Sequence, residues 1–307
     1  MSAQAIFCKD PAAYLNAVWE AFKNGTPTFL GNPHWSLAAQ TEAAQLIPVH
    51  TKIVGEGLTP MGPTPANWPH AWQGQLFIPT GGTGGKVKFV AHNATSLQAA
   101  AISLQQYLVA RGFSSVLHGV SLTPPWHISG LMPAFRAHFT GGTHRIFPSL
   151  LTAEHALPDL NLPSDGCRLL SVVPTQLQAL LQHPHGKKWL GAFSAILVGG
   201  SALPPGFVKL IGDCPVPIYL TYGMTETAAA IALCPPEKIT EANPIAGEAL
   251  PNVQWSLEGD RICLSTPALA SHYWPHEKIN QPFVTGDRGK ILDDGRLIVL
   301  GRADRII

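Results

Sequence analysis

The sequence predicts an α/β fold with mostly parallel sheets and a smaller antiparallel β unit near its end. Apolar segments of strand length alternate with amphipathic helical segments over residues 76–223, a rhythm typical of parallel sheets covered by helices. After about Pro244 the pattern changes to period-two alternation with an Asp294-Gly295 turn, which favours antiparallel strands. With 307 residues, 46% of them hydrophobic, the chain can bury a large core. We therefore expect an α/β core over 1–244 and a β subdomain over 245–301, followed by a short terminal segment over 302–307.

The expected elements follow one another in a regular order. Residues 12–24 have apolar positions at helical spacing, whereas the Pro/Gly-rich stretch that follows, to about Gln75, is weakly periodic and is expected to connect more than it folds. Strand-like apolar runs lie at 76–80, 114–122, 144–148, 167–174, 193–200 and 216–223. Helical segments lie between them, one beginning near Asn93 or Thr95 and ending by Gly112, and others within 123–142, at 175–183 and at 204–212.

Composition and charge exclude several classes of function. The 20 basic and 19 acidic residues give a formal charge of +1. The sequence has no basic stripe of the kind that binds nucleic acid, so we expect no nucleic-acid partner. The 13 histidines are scattered without metal-ligand spacing. The five cysteines are far apart and odd in number, which predicts a reducing compartment without a disulfide framework. Since no signal peptide and no apolar run of the ~18 residues of a membrane helix is found, we expect a cytoplasmic protein without a membrane span.

The segment LFIPTGGTGGKVKFVAHN, residues 76–93, places a glycine-rich loop after a predicted strand. Glycines let the backbone approach a ligand closely, and amides and ammonium groups suit an anion, so phosphate is the first candidate. The Walker spacing fails because Thr80 stands where its first glycine should be and Val87 follows Lys86. A dinucleotide fold needs an acidic residue about 20 positions later, but residues 91–125 contain none. A phosphate loop of another kind and a plain glycine-rich hairpin turn both stay open.

Later motifs strengthen the case for a nucleotide. YGMTET, residues 222–227, follows a predicted strand and offers an aromatic ring, hydroxyls and the Glu226 carboxylate, which suits Mg²⁺; a strand-to-helix turn capped by Thr225 is the alternative. In VTGDRG, Asp287 could accept two ribose hydroxyls or lie solvated in a turn. In LVGGSALPP, Gly199 and Gly200 end a buried strand, where open sheets bind ligands.

In this order and spacing, the motifs resemble those of the large N-terminal domain of the adenylate-forming superfamily, which includes acyl-CoA synthetases, nonribosomal adenylation domains and luciferases. YGMTET and TGD followed by GRADRII are highly specific together, and matching stretches run from about Gln75 to Ile307. The resemblance implies stacked, mostly parallel sheets with helices plus a small antiparallel β subdomain. It also implies that the family's C-terminal domain, which turns about a hinge residue matching Asp304, is absent from these 307 residues. The chain is then expected to bind ATP, AMP or adenylate but to form adenylate slowly.

The resemblance implies that the glycine loop binds phosphate. Two of the family's hydroxyl residues are replaced here, by Pro79 and Gly82. The lysine of the family's loop is displaced in this sequence. Whether Lys86 or Lys88 contacts the β- and γ-phosphates stays open, and Lys88 is the lysine expected to act in catalysis. The loop residues implied to bind the nucleotide are Thr80, Gly81, Gly82, Thr83, Gly84 and Lys86.

The later motifs receive implied roles in the same way. Tyr222 is implied to stack on adenine, Thr225 to contact the α-phosphate and Glu226 to hold Mg²⁺. Asp287 is implied to bind ribose, and Arg302 to support ribose and phosphate. The implied nucleotide-binding set also includes Gly199, Gly200, Ser201, Gly223 and Met224.

Two further runs, SVVPTQLQALL and PPWHISGL, are similar to runs in the o-succinylbenzoate-CoA ligases of menaquinone and phylloquinone synthesis. This similarity implies a ligase with ATP, CoA and o-succinylbenzoate as substrates and Mg²⁺ as cofactor. His127 would border the acyl pocket and the CoA channel; a helix cap or a satisfied interior histidine is the alternative. A noncatalytic nucleotide- or acyl-binding module and an aryl- or fatty-acyl-CoA ligase are the alternative functions. Association into a homo-oligomer is compatible with the sequence.

Overall fold

A computed structural model of the chain describes residues 3–64, 72–81, 86–147, 156–201, 203–240, 246–275 and 277–303. The α-helices of these ranges are α1 (Pro11–Lys23), α2 (Leu37–Leu46), α3 (Ala94–Val109), α4 (Ile128–Thr140), α5 (Pro174–Gln182), α6 (Gly186–Leu190) and α7 (Phe207–Ile211). The strands are β1 (Gln4–Phe7), β2 (Thr28–Leu30), β3 (Lys52–Gly55), β4 (Leu76–Gly81), β5 (Val87–His92), β6 (Leu117–Ser121), β7 (His144–Ile146), β8 (Cys167–Val172), β9 (Ala195–Val198), β10 (Ile218–Met224), β11 (Ala229–Cys234), β12 (Ala246–Ala249), β13 (Gln254–Glu258), β14 (Arg261–Ser265), β15 (His272–Tyr273), β16 (Glu277–Lys278), β17 (Phe283–Ile291) and β18 (Leu297–Arg302).

The first sheet has the strand order β16-β15-β5-β4-β2-β1-β3. Strands β1 to β4 pair in parallel, and apart from Thr28 their fully buried residues are apolar on both faces, as expected of a covered parallel sheet. β4 and β5 form an antiparallel hairpin in which Thr80 lies opposite Lys88 and Gly81 opposite Val87. β15 joins the far edge of this hairpin although it lies about 180 residues later in the chain.

The second sheet has the order β13-β14-β17-β18-β12-β11-β10-β9-β8-β6-β7. Its half from β7 to β10 is parallel, and its half from β10 to β13 is antiparallel. The parallel strands are short, buried and rich in Leu, Ile and Val, because helices cover both of their faces. The carboxyl ends of β6, β8, β9 and β10 therefore meet at one edge, where open sheets bind ligands.

Helices α3 and α4 lie between the two sheets. The apolar side chains of α3 divide into two groups: Leu97 and Ala100 pack with the first sheet, while Leu104 and Leu108 pack with the second. A helix that is apolar on both sides must be covered on both sides. Asn93 caps α3, since its side-chain oxygen accepts a hydrogen bond from the Ser96 amide at 2.9 Å. Helix α2 covers the outer face of the first sheet, and α5, α6 and α7 cover the outer face of the second.

The structure confirms the α/β class and the antiparallel strands near the end of the chain. Two details of the sequence interpretation are wrong. The stretch before Gln75 was expected to connect more than it folds, but it contributes β2, α2 and β3. Residues 87–92, expected as a loop before a helix, form strand β5. β2 and β3 have three and four residues, which is too short to show a periodicity, and they are held by parallel pairing with β1.

The division into domains at residue 244 stays a prediction. β12 pairs with β11, so the strands that follow residue 245 extend the second sheet. The hinge position Asp304 lies outside the described residues.

Candidate active site

A cavity of about 520 Å³ opens where the carboxyl ends of β6, β8, β9 and β10 meet the β4–β5 hairpin. Its apolar wall includes Val172, Val173 and Leu197, whereas hydroxyl, imidazole and guanidinium groups line the rest. Such a mixture of apolar surface and few polar groups is typical of a small-molecule site. Among the predicted site residues, those that line the cavity are Thr80, Gly81, His127, Gly199, Gly200, Gly223, Met224 and Thr225.

The other predicted residues divide into three groups. Gly82, Thr83 and Gly84 lie outside the described residues, so the phosphate loop is described only by its stems in β4 and β5. Ser201 and Lys86 are exposed and do not line the cavity. The rest are brought together in two clusters beside the cavity: Tyr222 with Asp287 and Arg302, and Glu226 with Lys88.

The first cluster joins β10 to the antiparallel half of the second sheet. The Tyr222 hydroxyl donates to Asp287 Oδ2 at 2.8 Å, and Arg302 Nη1 lies 3.6 Å from Asp287 Oδ1. Strand pairing places Asp287 directly opposite Arg302 in β17 and β18. Burial and the neighbouring carboxylate raise the pKa of Tyr222, so the phenol stays protonated and donates at neutral pH. A carboxylate has about four lone-pair sites, so Asp287 keeps acceptor capacity for further hydroxyl groups.

The second cluster holds Glu226 through Tyr273, a residue that sequence reasoning missed. The Tyr273 hydroxyl donates to Glu226 Oε1 at 2.7 Å, and Lys88 Nζ lies 5.3 Å from the centre of the Tyr273 ring. No Lys or Arg among the described residues lies within 4.0 Å of the Glu226 carboxylate. No basic side chain of the described residues thus neutralises Glu226, and one carboxylate together with nucleotide phosphates is a typical donor set for Mg²⁺.

Thr225 is fixed by a second residue that the motifs did not mark. His92, fully buried at the end of β5, bonds the Thr225 carbonyl through Nε2 at 2.7 Å and Ser96 Oγ through Nδ1 at 3.0 Å. A carbonyl only accepts, so Nε2 carries the proton and Nδ1 accepts from the serine hydroxyl. Burial lowers the pKa of His92 to about 4, so the ring is neutral at physiological pH. Thr225 begins a 3-10 turn over Thr225–Thr227 whose N-cap is Met224 and which leads into β11, so the alternative of a strand-to-helix turn capped by Thr225 does not hold.

A buried arginine in the cavity was also missed. Arg136 lies on α4, is 7% exposed and lines the cavity, and its Nε has no hydrogen-bond partner. No carboxylate among the described residues lies within ion-pairing distance of it. Burial lowers its pKa to about 10, which still leaves the guanidinium charged at neutral pH. A single charge on the apolar face of GLMPAFRAHF was the sequence signal that could have marked it.

His127 lies at the N-cap position of α4 but makes no side-chain capping bond. It is exposed at the rim of the cavity, so the alternative of an interior histidine does not hold. The surrounding protein lowers the pKa of His127 by desolvation, which favours the neutral imidazole.

Three further properties of the described ranges concern membranes, metals and disulfides. None of their helices is both long enough and apolar enough to cross a membrane. No three His, Cys, Asp or Glu side chains within them are placed to hold one metal ion together. All five cysteines are free thiols.

The family model described as AMP-binding enzyme matches residues 5–274. The chain belongs to this family.

Curated relatives and solved structures agree with the family. A 2-succinylbenzoate–CoA ligase of Geobacillus kaustophilus is 28% identical over 204 residues, which cover 61% of this chain and 41% of that protein. A 2-succinylbenzoate–CoA ligase of Staphylococcus aureus is 26% identical over 239 residues, covering 74% of this chain and 47% of that protein. The chain thus spans less than half the length of these relatives.

The structure of o-succinylbenzoate coenzyme A synthetase from Bacillus subtilis, in complex with ATP and magnesium ion, superposes with a TM-score of 0.79 at 22% identity. That match covers 100% of this chain and 70% of the other. The N-terminal domain of FACL13 from Mycobacterium tuberculosis matches with a TM-score of 0.72 at 17% identity, over 98% of this chain and 86% of that domain. At 22% and 17% identity, the similarity to these two structures supports the fold alone.

Proposed function

We propose that this chain carries the adenylate-forming site of an acid-thiol ligase whose substrate acid is o-succinylbenzoate. The choice of o-succinylbenzoate as the acid rests on the buried guanidinium of Arg136. A guanidinium that is buried without a carboxylate partner is costly unless a ligand pairs with it. An acid with two carboxylates supplies one carboxylate for activation and a second for Arg136. The names of the curated relatives and the adenylate complex of the Bacillus subtilis enzyme support the same acid.

The first step would join the acid to ATP. A carboxylate oxygen forms a bond to the α-phosphorus, the bond from that phosphorus to the bridging oxygen breaks, and pyrophosphate leaves. Thr225 and the stems of the glycine loop at Thr80 and Gly81 line the cavity where the phosphates would lie. Preorganised amides and hydroxyls stabilise the charge that develops on the phosphates, and positioning of the two reactants supplies much of the rate.

Asp287 would bind the ribose and Arg302 would support it, while Tyr222 keeps the Asp287 carboxylate in place. Glu226 would hold Mg²⁺, which neutralises phosphate charge when it is bound. In the second step, the CoA thiol would release its proton to solvent and its sulfur would form a bond to the acyl carbon, while the bond from that carbon to the phosphate oxygen breaks and AMP leaves. His127, exposed at the rim of the cavity, lies where a thiol could approach.

Binding is a sharper test than turnover, because it depends on residues within the described part of the chain. We would titrate the purified protein calorimetrically with a nonhydrolysable sulfamoyl adenosine carrying the o-succinylbenzoyl group, and with its benzoyl and decanoyl counterparts. The o-succinylbenzoyl compound should bind about 10- to 100-fold more tightly than the benzoyl compound, as expected for a charge-assisted hydrogen bond.

Arg136→Gln should remove this preference while leaving the affinity for the benzoyl compound nearly unchanged. Arg168→Gln is the matched control, because Arg168 is another arginine of the same region with an unbonded Nε, but it does not line the cavity. Equal binding of the three compounds to the unmodified protein would refute o-succinylbenzoate as the acid. Binding of nucleotide without any preference for an acyl group would favour the noncatalytic module.

A further inference from the structure

Tyr273 contacts Glu226, which the proposed function assigns to the metal, and Lys88, one of the two candidate phosphate-binding lysines beside the glycine loop. Its hydroxyl donates to Glu226 Oε1 at 2.7 Å, and its ring lies under Lys88 Nζ at 5.3 Å from the ring centre. Glu226 follows β10 of the second sheet, whereas Lys88 and Tyr273 lie in β5 and β15 of the first. Tyr273 is thus the point at which the glycine hairpin and the YGMTET motif meet.

The main chain fixes the position of this tyrosine. Tyr273 pairs with Val90 and His272 with Ala91, which sets the register of β15 on β5. The following residue, Trp274, is 5% exposed and packs among the aromatic side chains on the outer side of the first sheet. The Ala270 amide donates to the Glu226 carbonyl at 2.8 Å, so the two segments are also joined by their backbones. A side chain anchored in this way can hold another residue in one orientation.

Strand alternation places the lysines relative to this tyrosine. Val87 packs on the outer side of the first sheet with Phe89, whereas Val90 packs with Tyr273 on the inner side. Residues two apart in a strand share a face, so Lys88 lies with Val90 on the side of Tyr273. Lys88 makes the contact with the ring, whereas Lys86 precedes the strand.

We propose that Tyr273 is a positioning residue that orients Glu226 toward the divalent cation of a bound nucleotide and holds Lys88 beside it. This inference rests on the proposed function, because it assumes that Glu226 is the metal ligand. The hydroxyl bonds one carboxylate oxygen and leaves the second for the cation. Hydrogen bonds from neighbouring residues to a ligating carboxylate typically change metal affinity 10- to 100-fold when they are removed.

The ring and the hydroxyl of Tyr273 have separable contacts. The ring packs against the small apolar cluster of Val90, Leu269, Ala270 and Ile279, whereas the hydroxyl is the group that reaches Glu226. Tyr273→Phe therefore keeps the packing and the contact with Lys88 and removes the bond to the carboxylate. Tyr107→Phe is a matched control, because the Tyr107 hydroxyl donates to Glu248 at 2.8 Å in a tyrosine-glutamate pair that does not line the cavity.

The experiment is a calorimetric titration of ATP at a series of Mg²⁺ concentrations, with AMP in the presence of EDTA as the metal-independent reference. In Tyr273→Phe, the Mg²⁺ concentration at which ATP binding is half-enhanced should rise about ten-fold, while AMP affinity stays within about two-fold. Tyr107→Phe should change neither quantity. In a Glu226→Gln background, Tyr273→Phe should have no further effect on the Mg²⁺ dependence, because the two residues act as one unit.

The outcomes separate the inference from the proposed function. An unchanged Mg²⁺ dependence in Tyr273→Phe, with normal ATP and AMP binding, would overturn the positioning role alone. Equal loss of AMP and ATP affinity would also overturn it, since it would make Tyr273 a support of the whole site. Failure of the unmodified protein to bind either nucleotide would overturn both proposals.

Discussion

Asp287 illustrates how one carboxylate can be prepared for a ligand by its neighbours. It is 9% exposed, yet it accepts a hydrogen bond from Tyr222 and faces the Arg302 guanidinium, and these contacts offset the cost of burying its charge. The Thr285 hydroxyl further accepts from the Asp287 amide at 3.0 Å, which fixes the backbone at this residue. Asp287 is therefore held in place before any nucleotide binds.

If Asp287 binds ribose hydroxyls, its substitution should affect nucleotides with and without these hydroxyls differently. The unmodified protein should bind AMP about 10- to 100-fold more tightly than 2′,3′-dideoxy-AMP, and Asp287→Asn should reduce this ratio toward one. Calorimetry with both nucleotides measures the ratio directly. A ratio that is the same in both proteins would exclude Asp287 as the ribose ligand, even if both affinities fall together.

The β10–β11 hairpin lines part of the cavity. Its register shifts between Tyr222 and Gly223, and a Cβ added to Gly223 would overlap the carbonyl oxygen of Ala229. Ala228 and Ala229 both have positive φ, of 50° and 77°, a strained conformation for alanine that is found at functional sites more often than elsewhere. This close approach requires a residue without a side chain at position 223.

Gly223→Ala should therefore destabilise the protein by about 1–3 kcal/mol, because the backbone of β11 must move away from the new methyl group. Urea unfolding at neutral pH measures this loss, and AMP affinity should fall as well, because Gly223 lines the cavity. Gly191→Ala is the control, since Gly191 has a helical φ of −62° and its Cβ would lie 3.3 Å from its nearest neighbour. It should change stability by less than about 1 kcal/mol. Equal losses in the two variants would contradict the steric explanation.

Sequence reasoning was most successful for elements with a clear period, because the parallel strands and most of the helices were expected from the alternation. Gly199, Thr225 and Glu226 were marked because they follow predicted strands, and their roles stay predictions. It was least successful where a partner lies far along the chain. His92 meets Thr225 across 133 positions, and Tyr273 meets Glu226 across 47 positions. No local pattern records such a pairing, because it depends on how the two sheets stack.

The whole molecule is two sheets that share an inner helical layer and meet at the candidate site. Two hydrogen bonds of that site cross between the sheets: from Tyr273 to Glu226 and between His92 and Thr225. The candidate site therefore also connects the two sheets. Contacts that fix the catalytic groups therefore also contribute to global stability.

Acid should destabilise the folded protein through two histidines, His92 at the candidate site and His144 within the second sheet. Burial lowers the pKa of both His92 and His144 to about 4, from an ordinary value of 6.5. Between these values the unfolded chain binds a proton that the folded chain does not, so stability is complete above pH 6.5 and falls as the pH drops toward 4. Each histidine should account for about 2 kcal/mol of lost unfolding free energy between pH 7.5 and pH 5.

The two histidines should titrate alike, but only His92 contacts a residue of the candidate site, so His144 serves as the matched control. His144 Nε2 bonds Ser121 Oγ within the second sheet, away from Thr225, whereas His92 holds Thr225 itself. His92→Gln and His144→Gln should each make the pH dependence of urea unfolding shallower by about 2 kcal/mol over this range. Only His92→Gln should also lower ATP affinity at pH 7.5, because only His92 positions Thr225 at the cavity. If the pH dependence of unfolding is unchanged in His92→Gln, the His92 ring does not stay neutral in the folded protein. If ATP affinity is unchanged in this variant, the contact between His92 and Thr225 does not contribute to nucleotide binding.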